Sequence, residues 1–361
     1  MLFIDFERAF DCLSRRAIWK CLRDRGVPDK IISIIQRLYL NASIKVRFKG
    51  KLSDPFCIEN GVRQGCVISP LVFITVLDDV MTKTNREVPD GIQLRPHQKL
   101  CDLDYADDIC LLSHSLTAIK RKLDRLATNA AAVGLKINLS KTKLMRIATD
   151  NNPLQVNIGN SMTTIEDVDK FCYLGSMLTK DGGTEADIDN RLNKARHAYH
   201  KMRKVWSSRS LSKKTKLRIF NTSIKPILLY GCETWKIAPR SSQKLQVFIN
   251  KCLRYICRIF WPNVISNERL FDITNSTPIN TEIRRRKWSW IGHTLRKDDD
   301  DITKMALTWN PQGSRRPGRP KNTWMRTVQK ESQNVETWLQ IRRLAQDRDR
   351  WKAVISALCS E

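Results

Sequence analysis

Residues 101–113, "CDLDYADDICLLS", set two adjacent aspartates, Asp107 and Asp108, between apolar runs. Strands are depleted in acidic residues, and an unpaired buried carboxylate is costly. The segment therefore reads as two short strands joined at the aspartates. The turn is either simply hydrated or holds something positive.

The flanking chain has a regular grain. Upstream, "LFIDF" (2–6) is a short apolar strand in which alternation sets Phe3 and Asp5 on one face and Leu2, Ile4 and Phe6 on the other. Ser14 caps a helix that ends at Gly26, and Asp29 caps a second over "KIISIIQRLYL". "SIKVRF", a turn at Lys49–Gly50 and "FCIEN" predict a hairpin, and Ser69 with Pro70 opens the apolar helix "LVFITVLDDVM". Downstream, Ile119, Leu123, Leu126, Ala130 and Val133 recur at helical spacing up to Gly134, and "LKINL" reads as a strand. This order predicts an α+β fold, an antiparallel sheet with helices on one face.

The 361 residues carry 64 Lys or Arg against 37 Asp or Glu, a net charge of +27, which points to a polyanionic partner. From Arg191 to Arg258 there are eighteen basic residues and a single acidic one, Glu233, a net +17 in one stretch. The eleven cysteines form no regular framework and no signal peptide is evident, so a reduced, intracellular setting in nucleus and cytoplasm is expected, not secretion. Cys252 and Cys257 have the spacing of half a zinc site, without a matching second pair. No apolar run reaches the roughly 18 residues of a membrane span, so no membrane partner is expected.

Four regions are expected: 1–150, a strand-rich segment at 151–183, a basic helical region at 184–261, and a Trp-rich remainder at 262–361. The last contains a linker near 311–322 and closes in one amphipathic helix, "ETWLQIRRLAQDRDRWKAVISALC". "RRRKWSWIGH" suits either nucleic-acid stacking or the core of a small helical domain.

Asp5 with Asp107 and Asp108 would give three carboxylates from a strand end and a neighbouring turn. Such a set can hold two magnesium ions, which activate a hydroxyl and stabilise departing pyrophosphate. "FIDFERAFD", "GVRQGCVISPLVF", "YADDICLL", "GLKINLSKTK" and "FCYLGSML" occur in that order. They resemble motifs A to E of reverse transcriptases, closest to those of LINE-type, non-LTR retrotransposons. The resemblance covers the palm, to about residue 178; "LLYGCETW" and "RRPGRPKNTW" also resemble segments downstream of the polymerase in such elements.

The resemblance implies a template-directed polymerase acting on an RNA template, a DNA primer and deoxynucleoside triphosphates, with two Mg²⁺ ions or Mn²⁺ in their place. Asp5, the Phe6 carbonyl, Asp107 and Asp108 correspond to its metal ligands, and Phe10 to the gate against a ribose 2′-hydroxyl; plain core packing is the alternative for Phe10. Arg63, Gln64 and Gly65 fall in the loop that contacts the incoming nucleotide, and Tyr173, Leu174 and Gly175 in the primer grip. Lys141 matches the lysine that protonates pyrophosphate, with Lys143 its neighbour. The basic helical stretch corresponds to the thumb. "RRPGRPK" has an AT-hook core, with Pro317 where the hook has arginine, and reads as a basic linker.

Reverse transcriptases carry fingers ahead of motif A, which here begins at residue 2. The expectation is of a front-truncated domain with impaired activity. The alternatives are a nucleic-acid-binding remnant without catalysis and an RNA-directed RNA polymerase, which a bulky Phe10 disfavours.

Overall fold

The computed structural model describes residues 1–40, 42–147, 154–158, 161–309, 323–332 and 337–359. The chain divides into two compact units, Met1–Leu174 and Gly175–Glu361.

In the first unit Leu2–Ile4 is a central strand, buried on both faces. It pairs antiparallel with Asp108–Leu111 on one side (Leu2↔Leu111, Ile4↔Ile109) and with Lys143–Leu144 on the other. Asp102–Tyr105 forms the edge beyond Asp108–Leu111. At the opposite edge, Ser161–Asp167 runs parallel to Lys143–Leu144, with Leu154–Ile158 antiparallel outside it. The sheet is thus mixed where a purely antiparallel one was expected. The chain passes over one position before turning back, so the returning strand runs in the same sense as its neighbour.

Helices Arg15–Asp24, Ser69–Glu87 and Leu116–Ala132 share a core with one face of this sheet. Leu2, Ile4, Ile109 and Leu111 meet Val76 and Leu123 there. The Leu116–Ala132 helix follows from its apolar spacing, and Gly134 ends it at φ +87°. Ser14 caps its helix as the sequence predicts, accepting from the Ala17 amide. Lys49 and Gly50, both at positive φ, turn the chain between Arg47–Phe48 and Lys51–Leu52.

Several local expectations are corrected. Ser69 is the first helical residue, not the cap; its buried hydroxyl pairs with that of Tyr39 at 3.1 Å. Pro28 precedes the next helix and Asp29 lies in its first turn, where a carboxylate suits the dipole. "LKINL" makes only a single bridge, Ile137 to Phe6. Asn138 breaks it, because its side-chain oxygen accepts from Ser140 Oγ and the Lys141 amide and holds the chain in a turn. The expected closing helix is two, Trp338–Leu344 and Arg348–Leu358. Asp347 divides them by accepting from the Asp349 and Arg350 amides as a new N-cap.

The second unit is helical from Glu185 onward, with two apolar clusters. The basic stretch is not all surface. Lys216 is buried and donates to the Trp206 and Ser208 carbonyls, Lys225 pairs with Glu282 at 2.8 Å, and Arg191 lies buried beside Asp187. Three of the eighteen cations are therefore committed to the fold.

Trp288, in "RRRKWSWIGH", is fully buried and donates to Glu331, a core role. Gly292, one turn further on, faces the Trp351 indole with no room for a Cβ. Gly292→Ala is expected to lower stability by about 1–3 kcal/mol through overpacking, measurable by urea unfolding, although alanine is the better helix former. The linker near 311–322 lies outside the described residues. Among the described residues, no helix is long and apolar enough to cross a membrane.

Candidate active site

The Asp102–Tyr105 and Asp108–Leu111 strands form a hairpin closed by the Tyr105↔Asp108 pair, leaving Ala106 and Asp107 as its loop. Ala106 has φ +53°, where a two-residue hairpin loop usually takes glycine. The register between Leu2–Ile4 and Asp108–Leu111, carried one residue further, sets Asp5 across from Asp108. By alternation both point to the side of Phe3 and Cys110, away from the helices.

Two observations describe the electrostatics. Asp5 Oδ2 is buried yet makes no hydrogen bond; the Lys141 ammonium, at 3.6 Å, is its counter-ion but stands beyond hydrogen-bond reach. The Asp108 carboxyl is pushed above the usual range, by desolvation first and then by the charges of Asp107 and Asp5. Like charges thus converge around an unsatisfied carboxylate oxygen, an arrangement a cation relieves. Among the described residues, however, no three such side chains stand close enough to cage a metal ion by themselves. The residues suit hard cations that take their remaining ligands from water and phosphate, as Mg²⁺ usually does.

The Phe6 ring is buried. The Asn138 and Glu7 amides donate to the Asp5 and Lys136 carbonyls on either side of it. Phe6, Glu7, Arg8, Asn138 and Lys141 line a cavity of about 460 Å³. Phe10 is half-buried, with its ring stacked on Phe73 at 4.2 Å. The "GVRQG" loop is tied to this segment through the Gly61 amide to the Leu13 carbonyl and the Val62 amide to that of Phe10. Gln64 Nε2 then donates to Asp11 at 2.9 Å, while Arg63 turns to the Leu38 carbonyl. Gly65 has φ +85° and open space around its missing Cβ, so backbone conformation accounts for the glycine.

The Tyr173 hydroxyl donates to the Leu103 carbonyl at 2.6 Å and lies 3.3 Å from that of Asp108. Phe171 stacks on Phe3 at 4.0 Å, so the Lys170–Tyr173 strand covers part of the aspartates' face of the sheet. Leu174 and Gly175 both have positive φ, and the boundary between the two units falls between them.

Sequence reasoning missed Asp11, although it ends the quoted "FIDFERAFD". It also missed Phe171 as the ring that shields Phe3, and Asp104. The Asp104 carboxyl is pushed up to about 8 by desolvation and by Asp102 beside it. Its pKa when folded exceeds that when unfolded, so the folded chain keeps the proton longer. Stability then falls as pH rises from near 3.8 to about 8. Replacing Asp104 with Asn is expected to flatten that slope and raise the melting temperature at pH 8 more than at pH 4. Asp104 is partly open to water, so the change is small.

Residues 1–178 match the family described as reverse transcriptase (RNA-dependent DNA polymerase), and this part of the chain belongs to it. It is a reverse transcriptase domain of the non-LTR retrotransposon kind, in a family that generally uses divalent metal ions. A family of unknown function matches residues 198–230. A transposon-derived protein of Caenorhabditis elegans is 27% identical over 72% of this chain and 96% of its own length. The polyprotein of a type-1 retrotransposable element R2 from Popillia japonica is 26% identical over 64% of this chain, which spans 38% of that polyprotein. A telomerase structure from Candida tropicalis, in complex with a telomeric RNA fragment, aligns over 84% of this chain and 47% of that one. The two are 13% identical, with a TM-score of 0.37.

Proposed function

We propose that the chain is the palm, with thumb-like helices after it, of an RNA-directed DNA polymerase that extends a DNA primer on an RNA template. The observation that carries this reading is the buried Asp5 Oδ2, without a hydrogen bond on the strand that pairs with Asp108–Leu111, in a strongly basic chain of the reverse transcriptase family. Two bound Mg²⁺ ions, or Mn²⁺, would supply activation of the primer hydroxyl and charge neutralisation on the triphosphate. Asp5, Asp107, Asp108 and the Phe6 carbonyl are the groups that would hold them.

The other roles follow from chemistry and position. Lys141 is the counter-ion of Asp5 and the ammonium that would give a proton to departing pyrophosphate. Phe10, held by Phe73, presents a fixed aromatic edge as a sugar gate, and Gln64, oriented by Asp11, meets the incoming nucleotide. Tyr173, anchored to the hairpin carbonyls, together with Leu174 and Gly175, aligns the primer end.

Mn²⁺ binding in the presence of dTTP, followed by electron paramagnetic resonance, tests the site. The wild type should bind the ion and Asp5→Asn should weaken binding at least tenfold; equal binding by both refutes the metal assignment. The net charge of +27 supports a second reading as well, a nucleic-acid-binding remnant that does no chemistry. That reading requires salt-sensitive duplex binding without any metal binding dependent on Asp5.

A further inference from the structure

The second unit contains a cavity of about 860 Å³ between the Glu185–Lys201, Arg203–Ser207 and Pro239–Cys257 helices and the residues just beyond the last. Its floor is rigid and aromatic. Trp206 is buried, its ring stacks on Tyr199 at 5.0 Å and 11°, and its Nε1 donates to the Tyr199 carbonyl at 2.8 Å. Tyr255 stands edge-on to Tyr199, and Phe260 edge-on to Tyr255 at 5.8 Å. The aromatic surface then runs outward into solvent, with Phe260 53% and Trp261 88% exposed.

The rim is cationic. Arg196, Arg203, Lys251 and Arg254 line the cavity with His200, and no acidic residue does. Arg196 and Arg254 are oriented by Asn193 and Asn267, neutral partners that leave their charge uncancelled. A permanently exposed indole beside four uncompensated cations is poor design for a solvated helical surface, and apolar area of this kind marks a binding site.

We propose that this cavity binds an unpaired nucleotide of single-stranded nucleic acid, with its base stacked on the aromatic lip and its phosphates held by the basic rim. The volume is within the range of ligand sites and ample for one nucleotide. Charge complementarity selects a polyanion, and the aromatic faces decide which kind. A duplex hides its base faces in the stack and presents only phosphate, so it satisfies the arginines and leaves Trp261 unused. An unpaired base has a free face and satisfies both, in the manner of single-strand binding platforms. The site lies wholly within the second unit, and its occupant does not depend on the reading of Asp5 and Asp108.

Fluorescence anisotropy tests this with the full chain and labelled oligouridylate and oligothymidylate of about ten nucleotides, beside a duplex of the same length. Trp261→Ala, whose side chain supports no core, should leave the melting temperature unchanged. It should weaken binding of both single strands by about tenfold and of the duplex by less than about twofold. Lys251→Ala should reduce the salt slope for the single strands by about 0.7. Of the two losses, the larger identifies the preferred strand as RNA or DNA. Equal losses for single strands and duplex, no loss at all, or displacement by polyglutamate as effective as by the oligonucleotide overturns it.

Discussion

Asp108→Asn is expected to abolish primer extension, by at least about a thousandfold, while leaving the folded chain as stable as the wild type or more so. The two effects have one cause. Partial desolvation first, and then the charges of Asp107 and Asp5, push the pKa of the Asp108 carboxyl upward, an effect that its exposure to water keeps small. Ionising it at neutral pH therefore costs the folded state something it does not cost the unfolded one, so an uncharged isostere removes a penalty. An aspartate retained as a cap or an ion-pair partner behaves oppositely, because its removal costs stability. Thermal unfolding at pH 7 beside the extension assay separates the cases. A lowered melting temperature with activity intact would mean that Asp108 serves the fold.

The second unit should show the reverse pattern at Asp187, where substitution by Ala is expected to cost about 3–5 kcal/mol. Asp187 is buried and accepts from Trp235 Nε1 and the Met177 amide, each at 2.8 Å. It is also the carboxylate beside Arg191, whose guanidinium donates to the Gly175 carbonyl at 2.7 Å and lies over the Tyr230 ring at 4.1 Å. Removing the carboxylate leaves a buried cation unpaired and an indole N–H unsatisfied, and the side chain that remains cannot reach water. Asp187→Ala with Arg191→Met should recover part of the loss, because the uncompensated charge is then gone. Urea unfolding of the single and double variants measures this. Additive losses would show that the pair is not coupled.

Much of the sheet could be read from the chain because its signals are local. Alternation in "LFIDF" separates Phe3 and Asp5 from the core-facing residues, and the apolar spacing from Ile119 to Ala130 defines one helix. The opposition of Asp5 and Asp108 was half legible. Alternation gave the face, but the register needed the pairing partner. The illegible part depends on contacts distant in sequence. Gln64 reaches Asp11 across 53 residues, and nothing in either segment announces the other. A charge count cannot tell which cations are buried: Lys216 and Lys225 spend their charge on carbonyl and carboxylate partners inside the fold. Some misses did carry a signal: Asn138 in "KINLS" and Asp347 in "QDRDR" are turn and cap residues inside apolar patterns, and each stops its element where its side chain captures backbone amides.

The central claim is that Asp5 and Asp108 form one catalytic centre. Incorporation of dTMP on poly(rA)–oligo(dT) with Mg²⁺ tests it most directly, in a protein that carries a fingers segment ahead of residue 2. Incorporation should disappear in Asp5→Asn and in Asp108→Asn while duplex binding persists. Incorporation that survives either substitution, or none at all with every aspartate intact, would contradict it.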